Sequence, residues 1–70
     1  MKITKEEKQA MFDQILMGPN GDRRIIHVAV HAYKHNYLEG KHEFAELLKK
    51  WPNKQYLIAE AEAEAHRKLP

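Results

Sequence analysis

The chain has 70 residues and no cysteine, and its 12 basic and 10 acidic residues give a net charge of +2 with histidine neutral. A chain of this length has room for one domain with a small core, which disulfides cannot supplement here. The charge is too low for a general nucleic-acid binder, and no apolar segment is long enough for a signal peptide or a membrane span. We therefore expect a single helical domain over residues 1–70, located in the cytosol.

The first predicted helix begins at a capping box. Thr4 and Glu7 stand three residues apart, so the hydroxyl and the carboxylate can each accept a hydrogen bond from an unpaired amide of the first turn. Apolar residues follow at helical spacing. Gly18 is able to take a positive φ, and Pro19 cannot continue a helix. The pattern predicts a helix over residues 4–17.

The second element, predicted over residues 22–38, is open to two interpretations. Asp22 is placed to cap its start, and Gly40 is placed to close it. With a period of 3.6, the apolar residues form one helical face, made of Ile25, Ile26, Ala29, Val30, Tyr33 and Tyr37. With a period of two, the segment 24–33 is a half-buried strand that would pair with its copy across a dimer, giving an α+β fold. We prefer the helix, because no second segment offers a convincing partner strand.

The third and fourth helices are predicted over residues 42–51 and 53–68. Pro52 ends the third helix, and Asn53 is placed to cap the fourth. Alanine and glutamate alternate in the fourth segment as in a strand, but both are strong helix formers, and the glutamates can pair with basic residues one turn later. The fold class is therefore all-α, a small bundle of three to four short helices.

The apolar faces of these helices predict one shared core. Phe44 and Trp51 are expected to be its anchors, because their rings can bury the largest areas. A surplus of apolar residues beyond one small core also favours a homodimer. The predicted core consists of Phe12, Ile15, Leu16, Ile26, Val30, Tyr33, Phe44, Leu47, Leu48, Trp51 and Leu57.

Histidines recur every four residues along the second element and share one side of a helix there. With the neighbouring cations they form a surface that we call the histidine face, which comprises Arg23, Arg24, His27, His31, Lys34 and His35. This surface suits an acidic protein partner, and the alternative is the phosphate backbone of a nucleic acid. A third interpretation is a metal site completed by His42 or Glu43, although no acidic residue separates the histidines as in specific zinc motifs. The simplest interpretation is a solvated surface.

The remaining polar residues offer little chemistry. The chain has no serine or cysteine, and Thr4 is better used as a cap, so we expect no catalysis, no metal ligands and no cofactor. The acidic run Glu60, Glu62 and Glu64 would repel a phosphate backbone and is either a solvated flank or a docking surface for a basic partner. The sequence thus favours a small non-enzymatic regulator or inhibitor of another protein, of the size that phages and toxin–antitoxin systems use.

Overall fold

The structure is a computed structural model that describes residues 2–68. Four α-helices follow one another, and a short 3₁₀ turn, Pro52–Lys54, precedes the last of them. The helices are α1 Lys5–Met17, α2 Gly21–His35, α3 Tyr37–Leu48 and α4 Tyr56–Lys68. The predicted all-α bundle is confirmed. The alternative strand over residues 24–33 is wrong, because the buried residues of this segment follow the helical period.

The central helix of the bundle is α2, which packs against each of the other three helices. Phe44 of α3 lies in the core, with its ring centroid 6.0 Å from that of Phe12 and 6.3 Å from that of Tyr33, both at edge-to-face angles. Such pairs stabilise a core beyond the area that they bury. The buried core is formed by Phe12, Leu16, Ile25, Ile26, Ala29, Val30, Tyr33, Phe44, Leu48, Leu57, Ala61 and Ala65.

Three residues of the predicted core are only partly buried, namely Ile15, Leu47 and Trp51. Trp51 is therefore not a second deep anchor beside Phe44. The chain also buries three alanines, Ala29 of α2 and Ala61 and Ala65 of α4, two helices that pack against each other. A pattern that weights residues by size misses this contribution.

The start of α1 follows the sequence closely. The Thr4 hydroxyl accepts from the Glu7 amide at 3.1 Å, and the Glu7 carboxylate accepts from the Thr4 amide at 3.1 Å. The helix ends at Met17 as predicted, but Gly18 has an extended backbone, and the positive φ of 57° falls on Asn20.

The α1–α2 turn brings two backbones into contact. A Cβ atom at Gly21 would lie 2.6 Å from the carbonyl oxygen of Ile15, so the close approach of α1 and α2 requires glycine there. Asp22 does not cap α2 as predicted. Its carboxylate accepts instead from the Lys54 ammonium at 3.0 Å and from the Tyr56 hydroxyl, which ties α2 to the start of α4.

The boundary between α2 and α3 lies at Asn36, earlier than predicted. Asn36 is extended, its amide donates to the Ala32 carbonyl at 2.9 Å, and its side-chain oxygen accepts from the Glu39 amide at 3.1 Å. One residue therefore ends α2 and caps α3. Gly40 does not close the second helix; it lies inside α3, where a Cβ would be 3.0 Å from the Ala32 backbone.

The boundary between α3 and α4 also differs from the prediction. Leu48 is the last residue of α3, three residues before Trp51. Pro52 begins the 3₁₀ turn rather than following a helix directly, and Asn53 lies inside that turn. Asn53 is therefore not the cap of α4, which begins at Tyr56.

Candidate functional site

The histidine face lies on the side of α2 opposite the core, and all six of its side chains are exposed. Ile25, Ala29 and Tyr33 point into the bundle, so the helical period sends the histidines outward. From Arg23 to His35 this helix carries no acidic residue. Val28 is 51% exposed and is the one apolar residue that interrupts the basic surface.

Most cations of residues 2–68 lie in ion pairs, but two cations of the histidine face do not. Lys8 and Lys41 each pair with a carboxylate of another helix, at 2.9 and 3.0 Å, and Lys50, which follows α3, pairs with Asp13 of α1 at 2.9 Å. By contrast, Arg24 and Lys34 form no ion pair with any carboxylate of residues 2–68. Their charges therefore remain available to a ligand.

An open depression of about 410 Å³ lies at the N-terminal end of the histidine face. Ile15 of α1 and Val28 of α2 give it apolar surface, while Arg23, Arg24 and His27 give it basic groups. An apolar side chain flanked by carboxylates has the chemistry to fit such a depression.

The imidazoles do not converge as metal ligands. No group of three histidine, aspartate or glutamate side chains in residues 2–68 is arranged to hold a metal ion. Glu43, which was a candidate to complete a shell, pairs with Lys8 at 2.9 Å. The converging geometry of a tetrahedral zinc site is therefore lacking in the part of the chain that the structure describes.

Two of the three carboxylates in the acidic run of α4, those of Glu62 and Glu64, form contacts with other helices, whereas Glu60 is exposed. Glu64 is buried, and its Oε1 accepts from Arg23 Nη2 at 3.0 Å, which lowers the pKa of Glu64. Glu62 Oε1 accepts from the Tyr37 hydroxyl at 2.6 Å and lies 3.0 Å from Lys41 Nζ, and these two hydrogen bonds lower the pKa of Glu62. These contacts join α4 to α2 and α3.

Sequence reasoning missed a buried carboxylate, Asp13, which joins α1 to the segment after α3. Asp13 Oδ1 accepts from Trp51 Nε1 at 2.7 Å and from Gln9 Nε2 at 3.0 Å, and Oδ2 accepts from Lys50 Nζ at 2.9 Å. Burial would raise the pKa of Asp13, but the hydrogen bonds from Lys50, Gln9 and Trp51 outweigh it and lower the pKa. The one available signal was an acid next to Phe12 on the apolar side of α1.

No family model, no curated protein and no solved structure matches the chain. Within residues 2–68, none of the helices has the length and apolar character needed to cross a membrane.

Proposed function

We propose that this protein is a small non-enzymatic binding module that regulates or inhibits a protein partner through the histidine face. The observation that carries the proposal is the composition of the outer side of α2. It combines three exposed imidazoles and the exposed Val28 with two cations, Arg24 and Lys34, that form no ion pair within residues 2–68. Its chemical complement is an acidic protein surface that presents an apolar side chain.

A protein partner is favoured over a nucleic acid for two reasons. Protein interfaces typically place an apolar contact at the centre of a polar rim, and the depression beside Val28 and Ile15 offers such a contact. Nucleic-acid affinity depends on how many phosphates are neutralised, and on this face only Arg24 and Lys34 are cations that pair with no carboxylate of residues 2–68. Nucleic-acid binding through the same face is the second candidate.

The proposal also includes a cytosolic location and a homodimer. A phage-encoded inhibitor of a host enzyme is one class of module of this small size.

The test uses the immobilised chain as bait in lysate of its native host. Val28→Glu places an acid in the histidine face, and Leu38→Glu makes the same change at a residue of α3 that is 79% exposed. Saturable binding of one protein that is lost with Val28→Glu and kept with Leu38→Glu would support the proposal. Binding that Val28→Glu leaves unchanged would refute it, as would nuclease-sensitive retention on DNA with no bound protein.

A second arm measures the affinity of that partner between about pH 5.5 and 8. An affinity for the acidic partner that increases as the pH falls, and that no longer does so when all three histidines are changed to glutamine, would support the proposal. His42→Gln on α3 is the matched control. Affinity that rises with pH and disappears with a chelator would indicate metal binding instead, because protons compete with the metal for the ring nitrogens.

A further inference from the structure

Three cations surround one buried carboxylate where α2 meets the end of α4. Arg23 Nη2 lies 3.0 Å from Glu64 Oε1, Arg67 Nη2 lies 3.6 Å from the same oxygen, and Lys68 Nζ lies 3.8 Å from Oε2. The Glu64 side chain is 7% exposed, whereas those of Arg23, Arg67 and Lys68 are 63%, 73% and 48% exposed. We call these three residues the cation cluster; the carboxylate lies beneath it, and its positive groups face solvent.

Most hydrogen-bond donors of the cation cluster have no acceptor among residues 2–68. Arg23 donates to Glu64, but Arg67 and Lys68 lie beyond hydrogen-bond distance of it. Glu64 Oε2 accepts no hydrogen bond from any of the described residues, 2–68. A guanidinium has five N–H donors and an ammonium has three, so the cluster can bind a second oxyanion while Arg23 stays paired with Glu64.

The charge of the cation cluster selects the class of oxyanion. Three positive charges less the one negative charge of Glu64 leave +2. The carbonyl end of α4 offsets about half a charge of this surplus. Glu60, one turn earlier on α4, is exposed and forms no ion pair within residues 2–68, so it screens the site only through solvent.

A phosphate monoester carries about −1.5 to −2 at neutral pH, whereas a carboxylate carries a single negative charge. Paired guanidiniums also match the oxygens of a phosphate geometrically. We infer that the cation cluster binds a phosphate monoester on a phosphorylated side chain of the protein partner. This inference rests on the proposed function, because Arg23 also lines the depression of the histidine face and so makes the two surfaces continuous.

The experiment measures binding to the isolated chain and needs no identified partner. Three short peptides of the same sequence carry phosphoserine, glutamate or serine at one position, and inorganic phosphate serves as a competitor. Binding is followed by calorimetry and by ¹⁵N chemical shifts of the arginine side chains. The phosphoserine peptide should bind about tenfold or more tightly than the glutamate peptide, and phosphate should displace it.

Arg67→Gln is the decisive variant, because Arg67 makes no hydrogen bond to Glu64 and its loss leaves the Arg23–Glu64 contact intact. It should weaken phosphoserine binding about tenfold. Lys49→Gln removes the same charge from a surface pair with Glu46 and should leave that binding unchanged. Val28→Glu should weaken partner binding while inorganic phosphate still binds.

Three results would overturn the inference. The first is equal affinity for the phosphoserine and glutamate peptides. The second is an equal loss of phosphoserine-peptide affinity in Arg67→Gln and Lys49→Gln. The third is the absence of a saturable change in the arginine ¹⁵N chemical shifts at up to about 10 mM phosphopeptide. Tighter binding of an oligonucleotide than of the phosphopeptide would assign the cluster to nucleic acid instead. If these results occur while partner binding still depends on Val28, only this inference is lost. If the phosphopeptide binds as expected but no partner binding depends on Val28, the proposed function is lost and only phosphate binding by the cation cluster remains.

Discussion

Replacing Asp13 by alanine should cost this bundle a substantial part of its stability. The substitution leaves the Trp51 Nε1–H without its 2.7 Å acceptor in a partly buried position, which costs about 1–3 kcal/mol. Loss of the pair with the exposed Lys50 adds less than about 1 kcal/mol. Gln9 keeps its hydrogen bond to the Leu47 carbonyl at 3.0 Å, so the loss of its contact with Asp13 costs less stability than the loss at Trp51.

The expected total is about 2–3 kcal/mol, which lowers the melting temperature of a domain of this size by about 10–20 °C. Thermal melts followed by circular dichroism at neutral pH measure it. Glu46→Ala is the matched control, because it removes a carboxylate whose partner is the exposed Lys49, and its melt should stay close to that of the wild type. An Asp13→Ala melt that coincides with that of Glu46→Ala would refute the reasoning.

The pH dependence supplies a second check on Asp13. Its pKa is lowered by folding, so its contribution to stability is complete above its ordinary value of 3.8 and is lost as the pH falls through the folded-state value. The difference in the free energy of unfolding between the wild type and Asp13→Ala should therefore be constant above about pH 5 and should shrink in more acidic solution. A difference that did not change with pH would mean that the carboxylate stabilises the fold only through packing.

Three further predictions concern the backbone, the core and the oligomeric state. Gly21→Ala should lower the melting temperature strongly, because the new Cβ meets backbone atoms that cannot move away. Gly18→Ala is the control and should be tolerated, because the nearest atom to its new Cβ is 3.4 Å away. Similar melting temperatures for the two variants would contradict this packing. Phe44→Ala should cost about 3–5 kcal/mol and leave the chain largely unfolded, and a cooperative melt like that of the wild type would place the ring outside the core. The homodimer predicts a melting temperature that rises with protein concentration; a monomer mass by light scattering and a constant melt over a hundredfold range of about micromolar and higher concentrations would exclude it.

Local signals predicted the parts of the fold in which neighbouring residues satisfy one another. The Thr4–Glu7 capping box fixed the start of α1, and the apolar period identified the buried side of α2. The α2–α3 boundary was missed because Asn36 and Gly40 both interrupt helices in general. Whether the boundary falls at Asn36 or at Gly40 depends on the packing of Gly40 against Ala32. Because this contact joins two helices, the local sequence does not show it.

The candidate site divides in the same way. That the histidines lie outside the core followed from the period of α2 alone. The pairing of Arg23 with Glu64 did not, because the two residues are 41 positions apart and meet only once α4 has packed on α2. The alternation of alanine and glutamate in α4 therefore indicated an exposed run, although Glu64 is buried and Glu62 is bound to Tyr37 and Lys41.

The central position of α2 has a consequence for mutational tolerance. Its inward residues, such as Ile25, Ala29 and Tyr33, hold the other helices, while His27 and His31 on the opposite side contribute nothing to the core. In a library that varies every position of α2, selection for folding should reject most substitutions at the positions that face the core, which recur with the helical period. Selection for binding should also reject substitutions at the exposed positions, on the opposite side of the helix. If the two selections reject substitutions on opposite sides of α2, the helix is both scaffold and interface. A helix that serves only as scaffold would be sensitive on its buried side alone.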